Sequence, residues 1–175
     1  TPSIEATGLL MNHPTIATVL ATGGAGMVKS AYSTGKPALG VGPGNTPAYI
    51  TKDAKIKRAV NDLFLSKTFD NGMICASEQA IIVDNEVYND VKAEFLAHNA
   101  YIVSSKAELA KLQAAVMLPD GHAVNPKIVG FSAKYIAELA GIKVPEETKL
   151  LIAEIAGVGA DFPLSREKLS PVLAM

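Results

Sequence analysis

"TIATVLATGGAGMVKSAYSTGKPALGVG", residues 15–42, decides the fold class. Its first eight residues are short, β-branched and apolar, as in a strand covered on both faces. Residues 23–35, GGAGMVKSAYSTG, read as a glycine turn, a helix and a glycine stop. PALGVG, 37–42, reads as a second strand, which PGNTP then breaks. Strand, helix and strand in that order form a βαβ unit with parallel strands.

The alternation continues downstream. In TKDAKIKRAVNDLFLSKTF, residues 51–69, Ile56, Ala59, Val60, Leu63 and Phe64 fall on one helical face, with Thr51 or Asp53 as the expected cap. QAIIVD, 79–84, reads as a strand, and Asn85 opens a helix with Val87, Tyr88, Val91 and Phe95 on one face. YIV at 101–103 is a short strand, 105–117 a helix and 118–127 a loop. AKYIAELAG is a helix stopped by Gly141, and TKLLIAEI a buried strand. The class is α/β, with a boundary expected near residues 43–50.

Composition excludes several functions. Of the 175 residues, 49% are apolar and 19% charged, with a formal net charge of −1, which gives no footprint for nucleic acid. No apolar run approaches a membrane span, and TPSIEATGLLMNHP lacks the basic start of a signal peptide. One cysteine permits no internal disulfide, so a reducing, cytoplasmic compartment is expected.

That cysteine, Cys75, lies in FDNGMICASEQAIIVD, residues 69–84, after the Asn71–Gly72 turn signal and before polar Ser77, Glu78 and Gln79. A thiol in a loop is reachable as a nucleophile, whereas structural cysteines usually lie inside apolar runs. From context alone, a core role remains the more frequent one, and no nearby His completes a protease-like pair. TGGAG and GVGPGN lie at the ends of two adjacent strands, where free N–H groups at a helix start can meet a phosphate. On spacing alone, plain turn chemistry is the more frequent reading of both loops, and G-x-G-x-x-G is absent. His13, His98 and His122 show no metal-ligand spacing and read as surface or turn residues, so no metal site is expected. Lys52, Lys55, Lys57 and Arg58 read as a solvated face, Glu154 as a buried acid or, more often at the carboxyl end of a strand, a solvated one, and Glu167 as a helix-start acid.

Three stretches, ATGGAGMVKSAYSTGKPALGVGPGNTPAYI, SKTFDNGMICASEQ and REKLSPVLAM, together resemble the CoA-acylating branch of the aldehyde dehydrogenase superfamily. The resemblance covers essentially the whole chain and is strongest to members in which this unit is the N-terminal half of a bifunctional protein. It implies part of a Rossmann-type cofactor domain over residues 1–46 and an α/β catalytic domain over 47–175. It implies Cys75 as the nucleophile, Gly24 and Gly42 as backbone positions lying against NAD, and Glu167 as the acid that binds the nicotinamide ribose. The implied reaction joins acetaldehyde and acetyl-CoA through a cysteine thioester, with NAD as cofactor and coenzyme A as co-substrate. Implied partners are a short-chain aldehyde and an acyl-CoA, in a cytoplasmic homo-oligomer; filament formation and fusion to an alcohol dehydrogenase domain are further features of the branch. An acylating semialdehyde dehydrogenase, for succinate semialdehyde or a similar acid, and a catalytically silent scaffold remain as alternatives.

Two departures from the superfamily pattern bear on chemistry. Hydrolytic members carry Glu-Leu-Gly-Gly where this chain has VGPGN, so the Glu that activates water is absent and a thiol acceptor is expected. The family unit is also more than twice as long. An upstream Asn that would help the Cys75 N–H hold an oxyanion, and a downstream His, are not in these residues. The chain is therefore expected to be a fragment, inactive alone, whose strands TIATVLAT and SPVLAM have lost neighbours.

Overall fold

The computed structural model describes residues 2–175, which divide into two compact units, the first ending at Gly44 and the second spanning Asn45–Met175. In the first, helix α1 (Ile4–Asn12) is capped by Ser3, whose hydroxyl accepts from the Ala6 N–H. Strand β1 (Val19–Thr22), helix α2 (Ala25–Tyr32) and strand β2 (Ala38–Val41) follow. The two strands are parallel, with Val19 opposite Ala38 and Thr22 opposite Val41, which is the expected βαβ unit. The first strand is shorter than its apolar run, because residues 15–18 form a turn and an extended lead-in. Helix α1 carries no periodic signal and was not foreseen. Gly35, at φ +72°, supplies the left-handed stop.

The second unit holds a five-stranded parallel sheet in the order β3-β4-β7-β6-β5. Its elements are β3 (Thr46–Ile50), α3 (Ile56–Thr68), β4 (Glu78–Val83), α4 (Tyr88–Ala97), β5 (Ala100–Val103), α5 (Lys106–Val116), α6 (Ala133–Leu139), β6 (Leu150–Ala153) and β7 (Val172–Ala174). Alternate side chains of β6 enter two cores. Leu150 and Ile152 pack with Val60, Phe64, Val91 and Phe95 of α3 and α4. Leu151 and Ala153 pack with Leu112, Val116 and Ile136 of α5 and α6. Covering on both faces explains why LLIA is uninterrupted by polar residues.

Four expectations are corrected here. Strand β3 occupies TPAYI, which the Pro and Gly around it disguise; Pro47 is tolerated because β3 is an edge strand. Helix α3 starts after Lys55 with no side-chain cap, so neither Thr51 nor Asp53 serves. Residues 166–171 are irregular, so Glu167 starts no helix. SPVLAM has neighbours: β7 is the central strand, paired with both β4 and β6.

Candidate active site

The segment before Cys75 is a backbone feature. Helix α3 ends at Thr68, and Asp70, Asn71 and Gly72 then take left-handed φ values of 48°, 50° and 66°. Two of these three, Asp70 and Asn71, are L-residues for which this conformation is costly, and they persist there only when surroundings hold them. The Asn71 amide donates to the Gly130 carbonyl at 2.9 Å. Gly72 is buried, and a Cβ there would stand 2.6 Å from the Ser170 carbonyl oxygen and 2.8 Å from that of Lys67. Residues 74–77 close a turn, with the Ser77 N–H donating to the Ile74 carbonyl at 3.0 Å. Cys75 is the second residue of that turn, exposed and free, beside exposed Met73 and Ile74. Its N–H forms no hydrogen bond among the described residues. The sequence left the thiol between core and loop, and the structure places it in the loop.

Under this turn lie two buried lysines that sequence reasoning missed. Lys67, fully buried, reaches the Gln79 side-chain carbonyl at 3.2 Å and the Ser77 hydroxyl at 3.4 Å. Lys168, also fully buried, donates to the carbonyls of Gln79 (2.8 Å), Leu164 (2.8 Å) and Arg166 (2.7 Å). Lys67 was legible in part: it extends the stripe Val60, Leu63, Phe64 by one turn, so the apolar face predicts its burial. Burial pushes the Lys67 ammonium down to about 8, against the opposing charges of Glu78 and Glu167. Burial and the charge of Lys67 also push Lys168 well down.

The Lys67 shift has a defined consequence for stability. Its folded value of about 8 lies below the ordinary 10.5, so the native state resists the proton that the unfolded chain accepts. The cost is complete below pH 8 and fades as pH rises toward 10.5, and it amounts to roughly 3 kcal/mol. Lys67→Met is therefore expected to stabilise the protein at pH 7 and to lose that advantage by about pH 10.5. Denaturation midpoints of parent and variant across this range check it; a gap that stays constant overturns it.

Glu167 adjoins Lys168 at the amino-terminal end of the sheet, the end at which the Cys75 turn enters β4. Its charge favours the protonated form of both lysines. Cys75 and Glu167 are thus carried on neighbouring segments of one unit, since β4 and β7 pair directly.

In the first unit, Gly24 and Gly42 follow β1 and β2 at their carboxyl ends, adjacent through the Thr22–Val41 register. Gly24, the residue before α2, has φ −63°, a conformation open to any residue. A Cβ at Gly24 or Gly42 meets nothing within 4 Å, whereas one at Gly40 would strike Val28 and Tyr32. Neither backbone conformation nor the chain's own packing asks for glycine at 24 or 42. That fits positions against which another molecule lies.

Other candidates resolve as structural. His13 and His122 are exposed, and His98 is half-buried at the end of α4, against the Phe64 ring. Lys52, Lys55, Lys57 and Arg58 are exposed. Glu154 is not a solvated strand end: its carboxylate accepts from Lys92 at 2.6 Å and from the Tyr88 hydroxyl, which hold it below the usual carboxylate range despite partial burial. Among the described residues no group of His, Cys, Asp and Glu could hold a metal ion, and no helix is long and apolar enough to cross a membrane.

Comparison with known proteins gives a consistent result. The model of the aldehyde dehydrogenase family matches residues 2–117. An aldehyde-alcohol dehydrogenase of Clostridium acetobutylicum is 58% identical over 174 residues, covering 99% of this chain and 20% of the relative. The acetylating succinate-semialdehyde dehydrogenase of Clostridium kluyveri is 42% identical over 172 residues, covering 98% of the chain and 37% of the relative. The crystal structure of an acetylating aldehyde dehydrogenase from Geobacillus thermoglucosidasius superposes with a TM-score of 0.92 at 49% identity, covering 99% of the chain and 38% of that structure. The chain thus spans about a fifth of the length of the first of these relatives and under two-fifths of the other two.

Proposed function

The chain belongs to the aldehyde dehydrogenase family, and from that premise we propose that the protein containing it interconverts acetaldehyde and acetyl-CoA with NAD, through a thioester on Cys75. The observation that carries the proposal is the placement of the single thiol, exposed on a turn whose backbone is held from both sides. The thiolate adds to the aldehyde carbonyl and forms a thiohemiacetal. Collapse of its oxyanion expels hydride and leaves an acyl thioester on Sγ. The Cys75 N–H, uncommitted among the described residues, suits a developing oxyanion. The thiol of coenzyme A then takes the acyl group and returns Cys75 to its free form.

NAD supplies the hydride acceptor. Gly24 and Gly42 would lie against it, since a side chain at either would occupy open space that the chain itself does not use. Glu167 would bind the nicotinamide ribose. In this reading residues 1–46 complete a cofactor domain and 47–175 form most of a catalytic domain. The whole protein is a cytoplasmic homo-oligomer, fused to an alcohol dehydrogenase half as the name of the C. acetobutylicum relative suggests. Acetaldehyde is favoured over succinate semialdehyde because identity to that relative, 58%, exceeds the 42% to the C. kluyveri enzyme.

The acceptor is open to a direct test. VGPGN contains no carboxylate to activate water. Stopped-flow mixing of the intact protein with acetaldehyde and NAD should give one burst of NADH, stoichiometric with Cys75, and then a stall that coenzyme A relieves. Steady NADH formation without coenzyme A would sink the acyl-transfer reading. Faster turnover of succinate semialdehyde than of acetaldehyde would favour the semialdehyde alternative. Absence of any burst, with sluggish alkylation of the thiol, would favour a scaffold.

A further inference from the structure

We propose that Lys168 is a positioning residue: its buried ammonium fastens the Glu167 segment to the start of β4, the strand that follows Cys75, and so sets the ribose-binding acid relative to the nucleophile. The inference rests on the role given to Glu167 above. Its basis is a complete set of donors and acceptors. An ammonium has three N–H donors, and Lys168 Nζ has three carbonyl acceptors, from Gln79, Leu164 and Arg166. Leu164 and Arg166 lie three residues and one residue before Glu167, whereas Gln79 lies four residues after Cys75. The Lys168 main-chain N–H also donates, at 3.0 Å, to the Gln79 side-chain carbonyl. Gln79 is thus gripped at its main chain and at its side chain by one residue.

The local backbone explains why a cation stands here. The segment 163–170 is largely buried yet contains only a single 3-10 turn, Pro163–Ser165, before β7 begins. The carbonyls of Leu164 and Arg166 accept from the Lys168 ammonium, and a buried carbonyl left unpaired is costly. The ammonium supplies what a ladder would supply elsewhere. Leucine or methionine would fill the volume without desolvating a charge, but would take the donor from three carbonyls and leave the two segments joined by packing and by the main-chain N–H of residue 168. The cation is held by main-chain dipoles, and the charge of Glu167 also favours its protonated form.

The test uses the intact protein. Lys168→Met, Glu167→Gln and the double variant are titrated with NADH by fluorescence, and amide hydrogen exchange is followed over residues 163–170 and 77–81. If Lys168 acts through Glu167, each single variant weakens NADH binding at least tenfold, and the double variant is no worse than the weaker single within threefold. Exchange protection falls in both segments of Lys168→Met. Unchanged affinity in Lys168→Met, or losses that multiply in the double variant, overturns the proposal. If Lys168→Met does not fold, Lys168→Arg keeps the charge but replaces the single nitrogen that meets all three carbonyls; it should weaken NADH binding at least threefold, and an unchanged affinity overturns the proposal equally. If the parent protein itself binds no NADH, the cofactor reading fails, and exchange alone decides the fastening: protection lost in both segments supports it, and protection retained refutes it.

Discussion

Cys75→Ala in the intact protein is expected to abolish acetaldehyde oxidation and its reverse, by about a thousandfold or more, the order of loss seen when a covalent nucleophile is removed. NADH affinity should stay within twofold of the parent value. The two expectations separate chemistry from folding. Cys75 is exposed on a turn, so removing its sulfur opens no cavity and breaks no hydrogen bond among the described residues. Surface substitutions of that kind cost little stability. A loss of activity with unchanged NADH binding and melting then belongs to the reaction. A variant retaining a tenth of parental turnover would remove Cys75 from the nucleophile's role, and the thioester with it.

The parts of this site that could be read from sequence share a physical cause, and so do the parts that could not. Periodicity located α3, α4 and the two-faced strand LLIA because burial against neighbours imposes a repeat on side-chain type. The βαβ unit was legible for the same reason, with glycine marking its turns. Asn71–Gly72 announced a turn, but not three left-handed residues in a row, since Asp70 carries no such signal. Strand β3 was hidden because an edge strand can accept Pro47. Lys168 was hidden because its burial depends on carbonyls contributed by Gln79, 89 positions away. Local patterns cannot report a partner so distant. The roles of Gly24, Gly42 and Glu167 came from resemblance alone; for the glycines, the structure adds that their own chain does not require them. Lys67 lies between these cases. Its position on the apolar stripe was visible, and its charge made the stripe seem to end one turn early.

The backbone beneath Cys75 yields the second large effect. Gly72→Ala should destabilise the protein by about 3 kcal/mol or more, several times the cost of the same change at Gly141. Both glycines have left-handed φ, +66° and +65°, so both variants meet the intrinsic penalty of about 1 kcal/mol for an L-residue there. They differ in surroundings. A Cβ at Gly141 meets nothing within 4 Å, whereas at Gly72 it falls 2.6 Å from the Ser170 carbonyl oxygen and 2.8 Å from the Lys67 carbonyl oxygen. These are main-chain atoms, which cannot rotate aside as a side chain would. Relief requires moving the end of α3 or the segment that leads into β7. The first shifts Lys67 and the turn bearing Cys75; the second shifts Lys168 and Glu167. Either movement should also change the rate at which iodoacetamide alkylates Cys75, while Gly141→Ala should leave that rate unaltered. Melting followed by circular dichroism, beside alkylation kinetics on both variants, checks the pair of expectations. Equal losses of stability at the two positions would mean that the Cys75 turn is not packed against Ser170, and that the strained backbone has slack to absorb a methyl group.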